Sequence, residues 1–263
     1  MNRLLLGRYI PGDSIIHKLD PRCKLVAGFY LIGLIFFCHT WWSYGLMVLF
    51  IGCCIALSKM KLSFFLRGIR SMIWLILFTV LLQILFSTGQ HVYVHWGVFN
   101  ITQEGIVNGC YVFMRFVLII CISTILTVTT SSLALADATE SLLRPFGKLG
   151  LPVHEIALML SIALRFIPTL TDEAEKIMNA QRSRGVDFDS GSLWTKVKAM
   201  IPLLIPLFVS CFNRAEELAD AMEARGYQGG EGRSKYRQLV WHRRDTVSVI
   251  VIAALTIGIM MMR

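Results

Sequence analysis

Charged residues are scarce in this sequence. They make up 16% of its 263 residues, whereas a soluble chain usually carries about 25%. Hydrophobic residues make up 55%, which excludes an intrinsically disordered chain. The net charge of +9 is not gathered in one basic domain, so nucleic-acid binding is disfavoured. With a mean hydropathy of +0.62, the composition favours an integral membrane protein.

The signatures of several kinds of site are also missing. No G-x-x-x-x-G-K-[ST] occurs, so the chain is not a P-loop nucleotide-binding subunit. The seven cysteines are an odd number without a C-x-x-C pair, which argues against a disulfide framework or a zinc site. His91 and His95 are four residues apart, but the alternating stretch between them predicts a short strand that separates them. We therefore expect no metal site and no cofactor held by this chain.

Long uncharged runs predict five membrane spans. A spanning helix needs about 20 apolar residues, and residues 25–58 contain 34 without a charge. Polar residues and two tryptophans at 39–43 divide that run into two spans joined by a tight turn. The one charge inside a span, Arg115, either lines a polar seam or pairs with a carbonyl or acid of the bundle. The predicted spans are residues 25–38, 42–57, 71–87, 106–128 and 246–262.

The lysines and arginines of the connecting segments predict the orientation. Residues 1–24 carry five of them against two acids, and the predicted loop 58–70 carries four without an acid. The 39–42 turn and the 88–104 loop carry none. Positive segments thus alternate with neutral ones, as opposite sides of a membrane require. We expect a multi-pass protein of the cell membrane with its N-terminus in the cytoplasm.

Residues 131–245 differ from the rest of the chain. They hold fifteen Lys and Arg and fourteen Asp and Glu, and they are too long for an unstructured loop. Proline and glycine breaks divide them into three predicted helices, at 132–148, 154–184 and 193–225. The first halves of the two long helices are apolar over about 10–14 residues, which is below spanning length and fits a buried or interfacial helix.

The predicted fold class is therefore an all-α integral membrane protein with about five transmembrane helices and long cytoplasmic amphipathic helices. We divide the chain into N-terminal membrane helices at 1–130, the cytoplasmic helices at 131–245, and a C-terminal transmembrane helix at 246–263.

The polar halves of the two long helices form an internal repeat. Residues 171–185 read TDEAEKIMNAQRSRG and residues 212–226 read FNRAEELADAMEARG, with five of fifteen positions identical. Helix capping alone explains an arginine in the last turn followed by glycine. It does not explain alanine and glutamate at matched positions further back, so the repeat suggests two equivalent partners. Guanidinium groups suit bidentate pairing with carboxylates of such partners.

The two repeat ends carry a family resemblance. Ser183-Arg184-Gly185 and Ala224-Arg225-Gly226 are similar to the paired Ala-Arg-Gly-type motifs of the transmembrane (T) component of energy-coupling factor transporters. Ser183 is the one departure from that pattern. The residues flanking the second motif match as well, and so does the segment from His17 to Lys24, which resembles the family's His-x-Leu-Asp-Pro-Arg-x-Lys. The order of spans and cytoplasmic helices agrees over nearly the whole chain.

This resemblance implies a non-catalytic subunit of an ABC-type importer for vitamins or other micronutrients. It implies that two ATPase subunits, which bind the ATP, dock at the six motif residues, with Arg184 and Arg225 each contacting one of them. It also implies that the apolar helix halves carry a membrane-embedded substrate-binding (S) component, so that the long helices are coupling helices.

Three alternatives stay open from the sequence. The T component of a dedicated cobalt or nickel importer would keep the same architecture. A scaffold for a single partner is disfavoured by the doubled motif. A membrane-embedded lipid-modifying enzyme would need clustered acids or histidines, whereas the acids here are scattered: Asp137, Glu140, Glu155, Asp187 and Asp189.

Overall fold

The computed structural model describes residues 10–87, 92–96, 99–145, 152–188, 190–229 and 239–262. Helices dominate these residues, which confirms the predicted all-α class. In chain order the elements are α1 Pro21–Phe36, α2 Trp41–Ser58, α3 Leu62–Phe86, β1 Val92–Trp96, β2 Phe99–Thr102, α4 Gln103–Thr129, α5 Ser132–Leu143, α6 Val153–Ser183, α7 Leu193–Ala224 and α8 Arg243–Met261. They form two compact units, one within Met1–Ala138 and Leu239–Arg263, the other within Thr139–Gln238.

Each of the five predicted spans coincides with a helix, namely α1, α2, α3, α4 and α8, although the first, third and fifth were predicted to end one or two residues too late. Among the described residues, six helices are long and apolar enough to cross a membrane: α2, α3, α4, α6, α7 from Trp194 onward, and α8. α1 is not among the six, because it has only 16 residues. From the sequence we expected the apolar parts of α6 and α7 to be too short to span a membrane. Each helix nevertheless contains an 18-residue stretch whose hydropathy is sufficient for a span.

The start of the third span was predicted wrongly. We expected a loop from 58 to 70, whereas α3 begins at Leu62 and leaves only three residues after α2. Arg67 and Arg70 therefore lie within the first turns of a helix. Arginine is a good helix former, and its long side chain can carry the charge back to the interface. The four basic residues between positions 59 and 70 therefore do not mark the end of the helix, and the membrane side that they predict stays a prediction.

The first unit has an apolar core where four of its helices meet. Ile35, Tyr44, Met47, Ile122 and Ile259, from α1, α2, α4 and α8, are at most 5% exposed. α3 packs closely against α4. A Cβ at Gly109 would lie 3.0 Å from Ile84, so the close approach of these two helices depends on glycine there.

A buried polar cluster joins the start of α1 to the start of α8. Asp20, Lys24 and Asp245 are at most 8% exposed. The two carboxylate oxygens of Asp245 accept from the backbone N–H groups of Asp20 and His242, both at 2.8 Å. Lys24 Nζ donates to the carbonyls of His17 and Thr129, at 3.1 and 3.0 Å. The His17–Lys24 segment therefore fixes the first helix by satisfying buried polar groups.

The segment before α1 is held by a neutral histidine. Burial lowers the pKa of His17. The Nε2–H of its ring donates to the carbonyl of Ile10 at 3.1 Å, and the hydroxyl of Ser14 donates to Nδ1 at 2.6 Å. The bond from Ser14 needs the neutral ring, because Nδ1 carries a hydrogen in the protonated one, and this agrees with the direction of the pKa shift.

The predicted short strand at residues 92–94 is present as β1. It pairs antiparallel with β2, with His95 opposite Asn100 and Trp96 opposite Phe99. His91, the other histidine of the pair considered in the sequence, lies outside the described residues.

Candidate functional site

The two repeat ends have the same backbone geometry. α6 ends at Ser183 and α7 at Ala224, so Arg184 and Arg225 are the C-cap residues. Gly185 and Gly226 follow with φ values of +87° and +71°, a conformation that favours glycine. The predicted helix ends at Arg184 and Arg225 were each one residue too far along the chain.

Both ends close with a Schellman motif. In α6 the N–H of Gly185 donates to the Arg182 carbonyl at 2.9 Å, and that of Val186 to the Gln181 carbonyl at 3.0 Å. In α7 the N–H groups of Gly226 and Tyr227 do the same with Glu223 and Met222, at 2.8 and 3.0 Å. Capping therefore explains the two glycines, but it uses only backbone groups. It leaves the arginine side chains unexplained.

All six motif residues are exposed: Ser183, Arg184, Gly185, Ala224, Arg225 and Gly226. The hydroxyl of Ser183 donates back to the Asn179 carbonyl at 3.1 Å. Within the described residues, the side chains of Arg184 and Arg225 form no hydrogen bond or ion pair. Each end thus presents a guanidinium group, small neighbours and a tight turn to its surroundings.

The two repeats contact each other at equivalent positions. Glu173 of α6 and Arg214 of α7 occupy the same place in the two repeat sequences, and they form an ion pair of 3.3 Å. The Ser210 hydroxyl donates to the other oxygen of Glu173, and the guanidinium of Arg214 lies 5.7 Å from the centre of the Phe166 ring. α6 and α7 therefore meet as the two halves of a pseudo-twofold arrangement. We call this contact the crossing.

A second contact shows the direction of the two helices. Gln181 Nε2 donates to the Pro202 carbonyl at 3.3 Å, so the C-terminal part of α6 lies beside the N-terminal part of α7. That carbonyl needs a donor, because its usual helical partner would be the N–H of residue 206, and Pro206 has none. The helices thus run antiparallel, and Gln181 restores a hydrogen bond that proline removes.

The antiparallel crossing sets the separation of the two arginines. Eleven residues separate Glu173 from Arg184, and eleven separate Arg214 from Arg225. At 1.5 Å per residue, each arginine lies about 16 Å along its helix from the crossing, in opposite directions. The two guanidinium groups are therefore roughly 30 Å apart, too far to bind one small ligand together and suited to two separate partners.

The apolar halves of α6 and α7 are exposed. No residue of α7 with a described side chain is buried, and in α6 only Ala157 is. The exposed apolar residues of α7 recur every three or four positions, which places them on one helical face. They are Trp194, Val197, Met200, Ile201, Leu204, Ile205, Phe208, Val209 and Phe212.

Arg115 finds aromatic partners inside the first unit. Its Nη2 donates to the Tyr44 hydroxyl at 3.3 Å, and its guanidinium lies 5.0 Å from the centre of the Phe36 ring. Tyr44 is stacked on Tyr111 at 5.1 Å. The sequence had predicted a polar seam, or a pair with a carbonyl or acid. The observed partners are a tyrosine hydroxyl and the face of a ring.

The scattered acids do not assemble into a centre. Within the described residues, no three His, Cys, Asp or Glu side chains are grouped as metal ligands. Glu140 lies 3.7 Å from His154, and Asp187 accepts from the N–H and hydroxyl of Ser190. Asp189 lies outside the described residues.

Sequence reasoning missed the crossing and the role of Gln181. The signal for the crossing was present, because the alignment that defines the repeat pairs Glu173 with Arg214. Opposite charges at the same position of two repeats are what a self-complementary contact requires. The match of Gln181 to the carbonyl left by Pro206 could not be read from spacing, because it depends on which residues face each other.

Comparison with known proteins confirms the family resemblance seen in the sequence. Residues 12–236 match the family described as cobalt transport protein (CbiQ). The chain is 57% identical over 263 residues to the energy-coupling factor transporter transmembrane protein EcfT of Lacticaseibacillus paracasei, covering 100% of both chains. It is 55% identical to EcfT 1 of Listeria monocytogenes, covering 100% of this chain and 99% of the relative. For EcfT of Bacillus subtilis the identity is 50% over 97% of each chain.

Proposed function

The chain belongs to the cobalt transport protein family and is a transmembrane component of the energy-coupling factor transporter type, and from this premise we propose that it couples two ABC-type ATPase subunits to a membrane-embedded substrate-binding (S) component. It is a multi-pass protein of the cell membrane. In this proposal ATP binds to the partner subunits, and the chain has no catalytic residue and no cofactor of its own. The substrate class is a vitamin or another micronutrient.

One ATPase docks at each repeat end. The observation that carries this step is the equivalence of the two ends: the same cap, the same exposed arginine, and the same distance from the crossing. A partner with two identical subunits, or two closely similar ones, would present one acidic groove to each end. Arg184 and Arg225 would enter these grooves as bidentate donors, and the small residues before them permit close approach.

The crossing supports mechanical coupling between the ends. Each end is joined to it by three helical turns, and the Glu173–Arg214 pair links the two helices there. A displacement of one docked ATPase relative to the other would therefore change the angle between α6 and α7. That change would reach whatever rests on their apolar halves.

The S component is the proposed partner of the exposed apolar face of α7, which we call the apolar stripe. A continuous exposed apolar face of this length needs cover from protein or lipid. Methionine and large apolar side chains can repack against different surfaces, which would let several S components use the same face. The charged C-terminal parts of both helices would stay in the cytoplasm, with the apolar parts in or on the membrane.

Affinity purification of the tagged chain from native membranes, followed by quantitative mass spectrometry, tests the proposal. We expect two ABC-type ATPase copies and one small membrane protein per chain. Recovery without any ABC-type ATPase would contradict the coupling function. Recovery of one ATPase copy would contradict the equivalence of the two ends.

Labelling of introduced cysteines tests the orientation. Ser183→Cys and Ala224→Cys should react with a membrane-impermeant maleimide in inside-out vesicles and stay unreactive in intact cells. Labelling in intact cells would place α6 or α7 across the membrane, as their length and hydropathy alone would allow.

The name of the matching family, cobalt transport protein, favours the rival cargo, a metal ion such as cobalt or nickel. The full-length relatives are described without a metal. Uptake of radioactive cobalt or nickel by vesicles containing the purified complex separates the two: transport of either ion would replace the vitamin class.

A further inference from the structure

The first unit contains an apolar cavity that the coupling function does not use. It has a volume of about 270 Å³. An apolar cavity of about 150 Å³ is already large enough to bind benzene. Its wall comes from α1, α2, α4 and α8, with Leu31, Phe50, Ile51, Ile122, Leu126 and Ile252 among the lining residues.

The mouth of this cavity is apolar as well. Four residues that line it are also among the exposed large hydrophobic residues, each at least 45% exposed: Ile15, Leu57, Val247 and Val251. A cavity with such a rim opens toward hydrocarbon when the helices stand in a membrane. Its natural occupant is therefore an apolar chain that arrives from the lipid and not a solute from water.

The lining ends in basic groups on one side. Lys24 and Arg244, at the first turns of α1 and α8, line the cavity together with Ser248. Lys24 is 8% exposed, and two of its three N–H donors are used by backbone carbonyls. Within the described residues, the exposed Arg244 side chain has no hydrogen bond or ion pair.

We propose that this cavity binds one acyl chain of an anionic phospholipid, whose phosphate lies at Arg244 and Lys24. Basic groups beside an opening between membrane helices, on the cytoplasmic side, are the setting in which anionic headgroups bind. The phosphate would accept from the guanidinium of Arg244 and from the remaining N–H of Lys24. The site does not involve α6 or α7, and so it is independent of ATPase docking. It shares with the proposed function only the cytoplasmic position of the starts of α1 and α8.

Native mass spectrometry of the purified chain tests the site. The protein is transferred from detergent into nanodiscs of phosphatidylcholine, alone or mixed with phosphatidylglycerol, and then released in the gas phase. We expect one retained phosphatidylglycerol per chain, and no retained phosphatidylcholine when both lipids are present. Equal retention of the two lipids would overturn the proposed headgroup contact. Displacement of phosphatidylglycerol by inorganic phosphate would overturn the acyl-chain site.

Two matched pairs of variants locate the lipid. Arg244→Gln should weaken phosphatidylglycerol retention about fivefold, whereas Arg243→Gln, next to it and outside the lining, should not. At Gly28 an added Cβ would make an ordinary 3.7 Å contact with Leu126, so Gly28→Leu fits and its side chain fills the cavity. Gly33→Leu on the same helix meets open space and serves as its control.

Gly28→Leu should abolish retention, and Gly33→Leu should keep it. If Gly28→Leu does not fold, Gly28→Ala adds only the tolerated Cβ and should reduce retention partially. Retention at the wild-type level in both Gly28→Ala and Arg244→Gln would refute the proposal.

Discussion

The first unit, which we call the membrane unit, and the α6–α7 pair differ in which of their polar and apolar groups are buried. In the membrane unit, Asp20, Lys24 and Asp245, at the starts of α1 and α8, are buried and bonded to the chain's own backbone. In the α6–α7 pair, the arginines at the helix ends are exposed. The apolar parts of the helices differ in the same sense. Of the 18-residue apolar stretch in α4, 28% is buried, against 6% of that in α6 and 0% of that in α7.

In the proposed function, this difference separates a region whose buried charged groups are satisfied within the chain from one whose exposed arginines are satisfied by partners. Exposure alone does not make the distinction. The 18-residue apolar stretch of α3 is also only 6% buried, and an apolar face that lies against lipid needs no protein partner. What distinguishes α6 and α7 is the combination of an exposed apolar stripe with a charged half and an unbonded arginine on the same helix. Lipid can cover the stripe, whereas in the proposed function the arginine at the end of the charged half pairs with a carboxylate of an ATPase subunit.

The largest expected effect is in the membrane unit. Asp245→Ala removes the carboxylate that accepts two backbone N–H groups, and it leaves the buried N–H of Asp20 and the part-buried N–H of His242 without that partner. Two lost bonds to a charged group should cost about 3 kcal/mol of unfolding free energy. Thermal unfolding in detergent, followed by tryptophan fluorescence, would measure it. Asp245→Asn, which keeps one acceptor oxygen, should lie between the wild type and the alanine variant. An unchanged midpoint for Asp245→Ala would show that this region is not held by the cluster.

The second prediction concerns binding of the ATPases, which should weaken while the fold of the chain stays intact. Reversal of both arginines, Arg184→Glu with Arg225→Glu, should weaken ATPase binding by at least about 2 kcal/mol per end, or roughly thirtyfold. Co-purification of the ATPases and vesicle uptake would report it, and the unfolding midpoint should stay at the wild-type value. Lys176→Glu, an exposed charge reversal on the middle of α6, is the control.

Binding and uptake at wild-type levels in the double variant would mean that Arg184 and Arg225 are ordinary cap residues. A loss confined to one of the two single variants would mean that the ends are not equivalent, despite their matching geometry.

How much of this could be predicted differs between the two regions. Hydropathy located the five membrane helices because burial in lipid acts on every residue of a span. Proline, glycine and capping signals placed the ends of α6 and α7 within one residue, because they act locally. The start of α3 was missed, since arginine is compatible with both a loop and a helix.

The bonds of Asp245 and the partners of Arg115 could not be predicted, because they join segments far apart in the chain. Asp245 bonds to Asp20, more than 200 residues away, and Arg115 to Tyr44. No periodicity relates such residues. The matching geometry of the two helix ends was predictable because the sequence is repeated: two similar sequences give two similar ends.

The third prediction concerns the crossing. Glu173→Ala removes both the ion pair with Arg214 and the acceptor for Ser210. Because the pair is about one-third exposed, we expect a cost of only about 1 kcal/mol. The sharper readout is the distance between spin labels at the exposed, equivalent positions of Ala180 and Ala221, which should broaden while ATPase binding persists. Exchange of the charges, Glu173→Arg with Arg214→Glu, should restore a narrow distribution. A narrow distribution in Glu173→Ala would show that the angle is set elsewhere.

The smallest effect isolates a single hydrogen bond between the same helices. Gln181→Leu should cost about 1 kcal/mol, because it leaves the Pro202 carbonyl without the donor that Pro206 cannot supply. Pro206→Ala returns an N–H to the helix at the position where that carbonyl needs it. In the Pro206→Ala background, Gln181→Leu should therefore cost close to nothing, and a double-mutant cycle on unfolding free energies would measure the difference. Equal costs in both backgrounds would mean that Gln181 acts by packing, and that α6 and α7 are held together at the crossing alone.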